Sequence, residues 1–135
     1  MSTGTDTDTD STMSFPLQEY LGMSLTGVEQ GSGTASLTVG PAHANPNGVV
    51  HGAVLFALVD TAMGKATMST VDDGYYCASV ELSLRFIRPA SSGELVAEAV
   101  VVKRGKTIVH LEARVHGGDD RLIATSSGTF AIRGG

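Results

Sequence analysis

The sequence predicts an α+β domain in which one long helix lies against a single antiparallel sheet. Three observations predict it. Apolar residues recur at intervals of three and four over only one long stretch, about Ala53 to Thr70. Beyond Gly74 the period changes to two and is carried through short Gly-containing turns. The 135 residues, 41% hydrophobic and 17% charged, supply apolar material for one core of ordinary size.

The elements follow in order. Residues 1–13, MSTGTDTDTDSTM, form a Thr/Asp leader with nothing to bury between its two methionines, and disorder is expected there. Residues 14–135 are then the folded domain. Ser14 to Leu21 reads as a short helix, with Ser14 as its cap, Pro16 in the first turn and Gly22 ending it. Ser24 to Glu29 and Thr34 to Val39 read as strands around a turn at Gly31-Ser32-Gly33. A loop rich in turn formers, residues 40–52, leads into the long helix.

On that helix Leu55, Leu58, Val59, Ala62 and Ala66 form one apolar stripe. The face through Ala53, Ala57, Asp60 and Gly64 is small apart from its one carboxylate. Small side chains allow a second helix to approach, a first hint of self-association. Four strands follow. They begin near Val80, Gly93, Val109 and Arg121, and their tight turns suggest an antiparallel meander. The order is α-β-β-α-β-β-β-β.

Composition removes several classes of function. Fourteen acidic against nine basic residues give a net charge of −5, which argues against a nucleic-acid binder. The longest apolar run, Ala53 to Val59, is far short of the roughly 20 residues of a membrane span. No basic start followed by an apolar stretch marks a signal peptide, so a cytoplasmic protein is expected. The lone Cys77 can form neither an internal disulfide nor a Cys-based metal cluster. His43, His110 and His116 lack the paired ligands of a metal site, and no cofactor is called for.

Three features could carry chemistry. Asp60 is the one ionisable side chain between Gly52 and Gly64. Burial there would raise its pKa and make it a general base, whereas a turn outward would leave it an ordinary surface acid. His51-Gly52 stands just before the helix, where free N–H groups and the positive dipole end could hold an oxyanion. A Gly at a loop-to-helix junction is also commonplace. Asn45 precedes Pro46 in the same loop and by itself is ordinary turn chemistry.

Together the residues are more specific. Asn45-Pro46-Asn47-Gly48-Val49-Val50-His51-Gly52, followed at fixed spacing by Asp60-Thr61-Ala62, resembles the signature of hotdog-fold acyl-CoA thioesterases of the phenylacetate-pathway (PaaI-like) group. Their pattern is Asn-x-x-Gly-x-x-His-Gly-Gly-x6-Asp-x-Ala. The likeness extends through Ser79 to Ala90, the Gly93-Glu94 strand opening and Lys103 to Thr107, covering roughly residues 15–133. One position departs from it, since the second Gly after the histidine is Ala53 here.

The resemblance implies a sheet wrapped around one central helix and the hydrolysis of acyl-CoA thioesters with aryl-acetyl or medium-chain acyl groups. It implies that the Gly52 N–H polarises the carbonyl. Asp60 acts as nucleophile or as the base for water, and Asn45 positions water or thioester. His51 holds the loop, and Ser79 orients the attacking water or is only a strand-edge polar residue. It further implies a homodimer with shared sites, often doubled to a tetramer.

Helix geometry points the same way. Eight residues at ~1.5 Å each separate Gly52 from Asp60 by about 12 Å along the axis, too far for one substrate carbonyl. Lys103, Arg104 and Lys106 at one hairpin, with Arg88 and Arg85, are candidates for the CoA phosphates. Two rivals remain at this stage. One is a hotdog enoyl-CoA hydratase or dehydratase, the other a non-catalytic acyl-CoA-binding protein.

Overall fold

A computed structural model describes residues 14–27 and 29–135; the expected leader, residues 1–13, lies outside the described residues. The elements are α1 (Pro16–Leu21), β1 (Ser24–Thr26), β2 (Ser32–Thr38), a 3-10 turn (Pro41–His43), α2 (Gly52–Met68), β3 (Tyr75–Phe86), β4 (Glu94–Arg104), β5 (Ile108–Gly117) and β6 (Leu122–Gly134). All six strands join one antiparallel sheet in the order β1-β2-β4-β5-β6-β3.

The sheet must curl. Helix α2 touches β2 near one edge and β3 at the other. At about 4.8 Å per strand those two lie roughly 19 Å apart in a flat sheet, wider than a helix of about 10–12 Å. Wrapping removes the discrepancy and buries the helix stripe predicted from the sequence. Leu58, Val59, Ala62 and Ala66 are fully buried against Leu95, Ala97, Val109, Leu111 and Val115 of the sheet.

Gly33 of β2 sets how closely sheet and helix approach. A Cβ there would lie 2.5 Å from the Ala62 carbonyl oxygen and 2.7 Å from the Ala66 nitrogen, both backbone atoms that cannot rotate away. Gly33→Ala should therefore cost about 3 kcal/mol, as overpacking against a fixed partner does. A thermal melt unchanged from wild type would refute this contact.

The expected meander holds only in part. β4, β5 and β6 follow one another in space, but β3 pairs with β6 and not with its sequence neighbour β4. The segment Ile87–Gly93 is long enough to cross the end of the sheet, and β4 pairs with β2 instead. Local ends also differ. Ser14 does not cap α1; its N-cap is Phe15, and the Ser14 hydroxyl bonds the Glu19 carboxylate. The first turn falls at Glu29–Ser32, where the Ser32 N–H donates to the Glu29 carbonyl at 3.1 Å, so Ser32 and Gly33 belong to β2.

The two sheet edges are unlike. β1 is three residues long, whereas β3 presents a twelve-residue edge that no described strand covers. Along it Tyr76, Val80 and Phe86 are each more than half exposed. A long apolar edge is a template for pairing with another chain. Among the described residues no helix is long and apolar enough to cross a membrane.

Candidate active site

The site is assembled from one helix and the strand beside it. Asp60 comes from the partly exposed face of α2, where Ala57 and Gly64 leave its carboxylate uncrowded. It lines a cleft of about 980 Å³ together with Ala57, Gly64, Cys77 and Ser79. Removal from water pushes its pKa up, and hydrogen bonding from the Ser79 side chain pulls the other way without cancelling the rise. Cys77, half-buried nearby, is pushed up by its own burial and then by the Asp60 charge.

Ser79 reaches Asp60 because β3 is irregular. Ser79 stands opposite Phe130 and Glu81 opposite Thr129, so Val80 is an extra residue. This bulge switches the side-chain parity of the strand. Cys77 and Ser79 face the helix before it, and Leu82 and Leu84 face the core after it. Strict alternation would have turned Ser79 and Leu82 to opposite faces.

At the other end of the helix the loop is locked. Asn45 Oδ1 accepts the N–H groups of Asn47 at 2.9 Å and Val49 at 3.2 Å, while its own N–H donates to the Val49 carbonyl at 2.7 Å. His51 caps the helix, its Nδ1 accepting the Ala53 N–H at 2.9 Å, which places the proton of the neutral ring on Nε2. The His51 N–H donates to the His43 carbonyl at 2.8 Å.

His43, which the sequence reading left without a role, is buried and fully used. Its Nδ1 accepts the Gly40 N–H at 2.9 Å, so its Nε2 donates to the Leu21 carbonyl at 2.8 Å. The net effect is selective. His51 consumes the Ala53 N–H, and the Gly52 N–H is left without a protein acceptor among the described residues. A free amide at the positive end of a seventeen-residue helix has the polarity to hold a developing negative charge. It opens into a second cleft, of about 400 Å³, whose wall is Val50, Leu55 and Phe86; a Cβ at Gly52 would sit 3.2 Å from the Phe86 ring. Gly52 and Asp60 thus line different clefts of one chain.

Comparison with known proteins decides the family. The thioesterase superfamily model matches residues 47–124, more than half of the chain, including His51, Gly52, Asp60 and Ser79. This chain belongs to the thioesterase superfamily. Its structure is similar to that of the conserved protein PA5202 from Pseudomonas aeruginosa, at 30% identity and TM-score 0.85, covering 90% of this chain and 96% of that one. It is also similar to the PaaI protein of the Escherichia coli phenylacetic acid degradation operon, at 25% identity and TM-score 0.81, over 88% and 85% of the two chains. In sequence it is 23% identical over 117 residues to the 1,4-dihydroxy-2-naphthoyl-CoA hydrolase of Listeria monocytogenes, over 87% of this chain and 95% of that protein. The hotdog fold and thioester hydrolysis expected from the motif are those of this family.

The cationic residues of the thioesterase are dispersed. Arg88 lines the Gly52 cleft. Arg85 points to the outer face of the sheet and shares a separate groove with Arg114. The Lys103, Arg104 and Lys106 hairpin sits at the far end of α2. There Arg104 donates from Nε to Thr70 Oγ1 at 3.1 Å, from a terminal nitrogen to the Lys106 carbonyl at 3.3 Å, and to the Gly105 carbonyl. Its guanidinium is thus divided between Thr70, just past the end of α2, and the carbonyls of its own hairpin. Lys103 and Lys106 remain exposed beside it. Among the described residues no three His, Cys, Asp or Glu side chains come together as a metal site would require.

Proposed function

We propose that this thioesterase hydrolyses acyl-CoA thioesters at sites shared between two copies of the chain. The observation that carries the reading is the pairing of a free Gly52 N–H with a partly desolvated Asp60 on one helix, in two separate clefts. Two α2 helices packed antiparallel about a two-fold axis would bring Gly52 of one copy to Asp60 of the other. The small face Ala53, Ala57 and Gly64 and the open edge of β3 are the surfaces that would meet. Doubling of such dimers to a tetramer is the assembly we expect from the family likeness.

The chemistry then runs simply. The thioester carbonyl oxygen accepts the Gly52 N–H, and negative charge developing on it is held by the helix end. Asp60 of the second copy takes a proton from water as the water oxygen bonds to the carbonyl carbon. The Ser79 hydroxyl beside the carboxylate gives that water a second anchor, which favours the base role over direct attack. The C–S bond breaks, and the CoA thiolate leaves without help from a strong acid.

Free thiol released from a panel of aryl-acetyl and medium-chain acyl-CoA substrates, run beside a matched binding assay, tests the reading. Binding without release would point to a carrier, and water addition to an enoyl-CoA would point to a hydratase.

A pH profile tests the base. Because Asp60 must be ionised, kcat should fall on the acid side through a pKa raised by burial from that of an ordinary aspartate. Ser79→Ala removes the interaction that lowers that pKa, so the acid limb should move to higher pH. A limb that stays in place would remove Ser79 from the site.

A further inference from the structure

His43 is the one buried ionisable side chain among the described residues, only 6% exposed, and the hydrolytic chemistry makes no direct use of it. It stands at the base of a small closed loop. Ala44 and Val50 make a β-bridge, the Asn45 N–H donates to the Val49 carbonyl at 2.7 Å, and the Gly48 N–H donates to the Asn45 carbonyl at 3.0 Å. A loop closed on itself moves as a body, and its aim depends on what holds its base. Two attachments hold this one. On one side the Val50 N–H donates to the Ala90 carbonyl at 2.8 Å. On the other the His43 ring spans from the Gly40 N–H, 2.9 Å from Nδ1, to the Leu21 carbonyl, 2.8 Å from Nε2. The Leu21 end is firm, because Gly22 closes α1 in the left-handed conformation and the next side chain, Met23, is buried in the core. The His43 carbonyl then accepts the His51 N–H at 2.8 Å, and Gly52 is the next residue.

We infer that His43 is a positioning residue for Gly52: its ring ties the base of the loop to the end of α1 and so fixes where the free N–H at the start of α2 points. Its part in turnover rests on the acyl-CoA reading of the site. On that reading the Gly52 N–H must meet the thioester oxygen as charge develops there, and a displacement of about 1 Å is enough to cost much of kcat. His43 itself touches no substrate. Only the neutral ring with its proton on Nε2 accepts from Gly40 and donates to Leu21 at once. Asp60 lies in the other cleft, so the attachment bears on the amide and not on the base.

Two amide replacements in the full chain separate this role from simple burial. In His43→Gln the side-chain nitrogen reaches about as far as Nε2 and keeps the Leu21 bond. In His43→Asn the side-chain oxygen stands near the place of Nδ1 and keeps only the Gly40 bond. Each variant loses one hydrogen bond, so a merely structural histidine would tolerate both alike. For an acyl-CoA thioester, kcat should fall at least about tenfold in His43→Asn with KM unchanged, and stay within about threefold of wild type in His43→Gln. The acid limb set by Asp60 should stay in place in both. Equal losses in the two variants, a change confined to KM, or a displaced limb would overturn the assignment. If His43→Asn does not fold, an equally large loss in His43→Gln overturns it alone. Two readouts need no substrate. Nitrogen-15 NMR of the wild-type ring should find the proton on Nε2, and the His51 N–H should exchange faster in His43→Asn than in His43→Gln. A proton on Nδ1, or equal exchange in the two variants, would reject the attachment. If the wild-type chain releases thiol from no acyl-CoA, the acyl-CoA reading falls, and these two readouts still decide whether His43 holds the loop.

Discussion

Asp60→Asn should turn over its thioester at least about 100-fold more slowly than the wild type while melting no lower. The substitution keeps the shape of the side chain and its ability to bond Ser79. It removes the ability to accept a proton from water. The stability half of the expectation follows from the direction of the pKa shift. Burial raises the Asp60 pKa in the folded chain above its unfolded value. Between those two values the folded state binds more protons than the unfolded state, so stability falls as pH rises through that window. Above the window the ionised, desolvated carboxylate remains a burden on the fold, and Asn removes it. The variant should therefore match the wild type in acid and be slightly the more stable at neutral pH. Near-normal turnover by folded Asp60→Asn would end the catalytic assignment, whatever the melting curves show.

The fold was legible wherever side-chain period mattered and illegible where pairing was chosen at long range. Val109, Leu111, Ala113 and Val115 of β5 are all buried, as their alternation requires, and so is the α2 stripe. The partner of β3 was not readable. A short turn favours pairing with the next strand, but nothing local records that Ile87–Gly93 crosses the sheet and leaves β6 as the neighbour. The bulge at Val80 hid for a related reason. It breaks the period by one residue, and only the sheet register shows that Ser79 and Leu82 share a face.

Of the site, the motif singled out Asp60, Gly52, His51 and Ser79 by their spacing along the chain, and the fold sets Ser79 in the Asp60 cleft and His51 at the helix N-cap beside Gly52. The resemblance gave Asn45 the positioning of water or thioester; in the fold its side-chain oxygen accepts the Asn47 and Val49 N–H groups and so holds the loop. His43 gave no signal because its two partners, Gly40 and Leu21, are brought together only by the fold.

Mixing two inactive proteins should restore activity if each site draws on two chains. Asn45→Ala removes the oxygen that fixes the Asn47 and Val49 N–H groups, so the loop carrying His51 and Gly52 loses its shape. Asp60→Ala removes the carboxylate and leaves that loop intact. Each homodimer would then carry two damaged sites. A mixed dimer would carry one doubly damaged site and one built from the sound Gly52 end of the Asp60→Ala chain and the sound Asp60 of its partner. Random co-refolding of equal amounts makes about half of all dimers mixed, so roughly a quarter of wild-type sites should return by symmetry. Starting from parents at or below about 1% of wild-type turnover, that recovery is easily measured. Asn45→Asp, which keeps an acceptor oxygen for the two N–H groups, should lose less activity alone and so tell a displaced loop from a lost catalytic amide. Mixed dimers verified by differential tagging and still no more active than their parents would put Asn45 and Asp60 in the same chain's site. The 12 Å spacing along α2 would then have to be bridged by movement of the loop, since the helix itself cannot shorten.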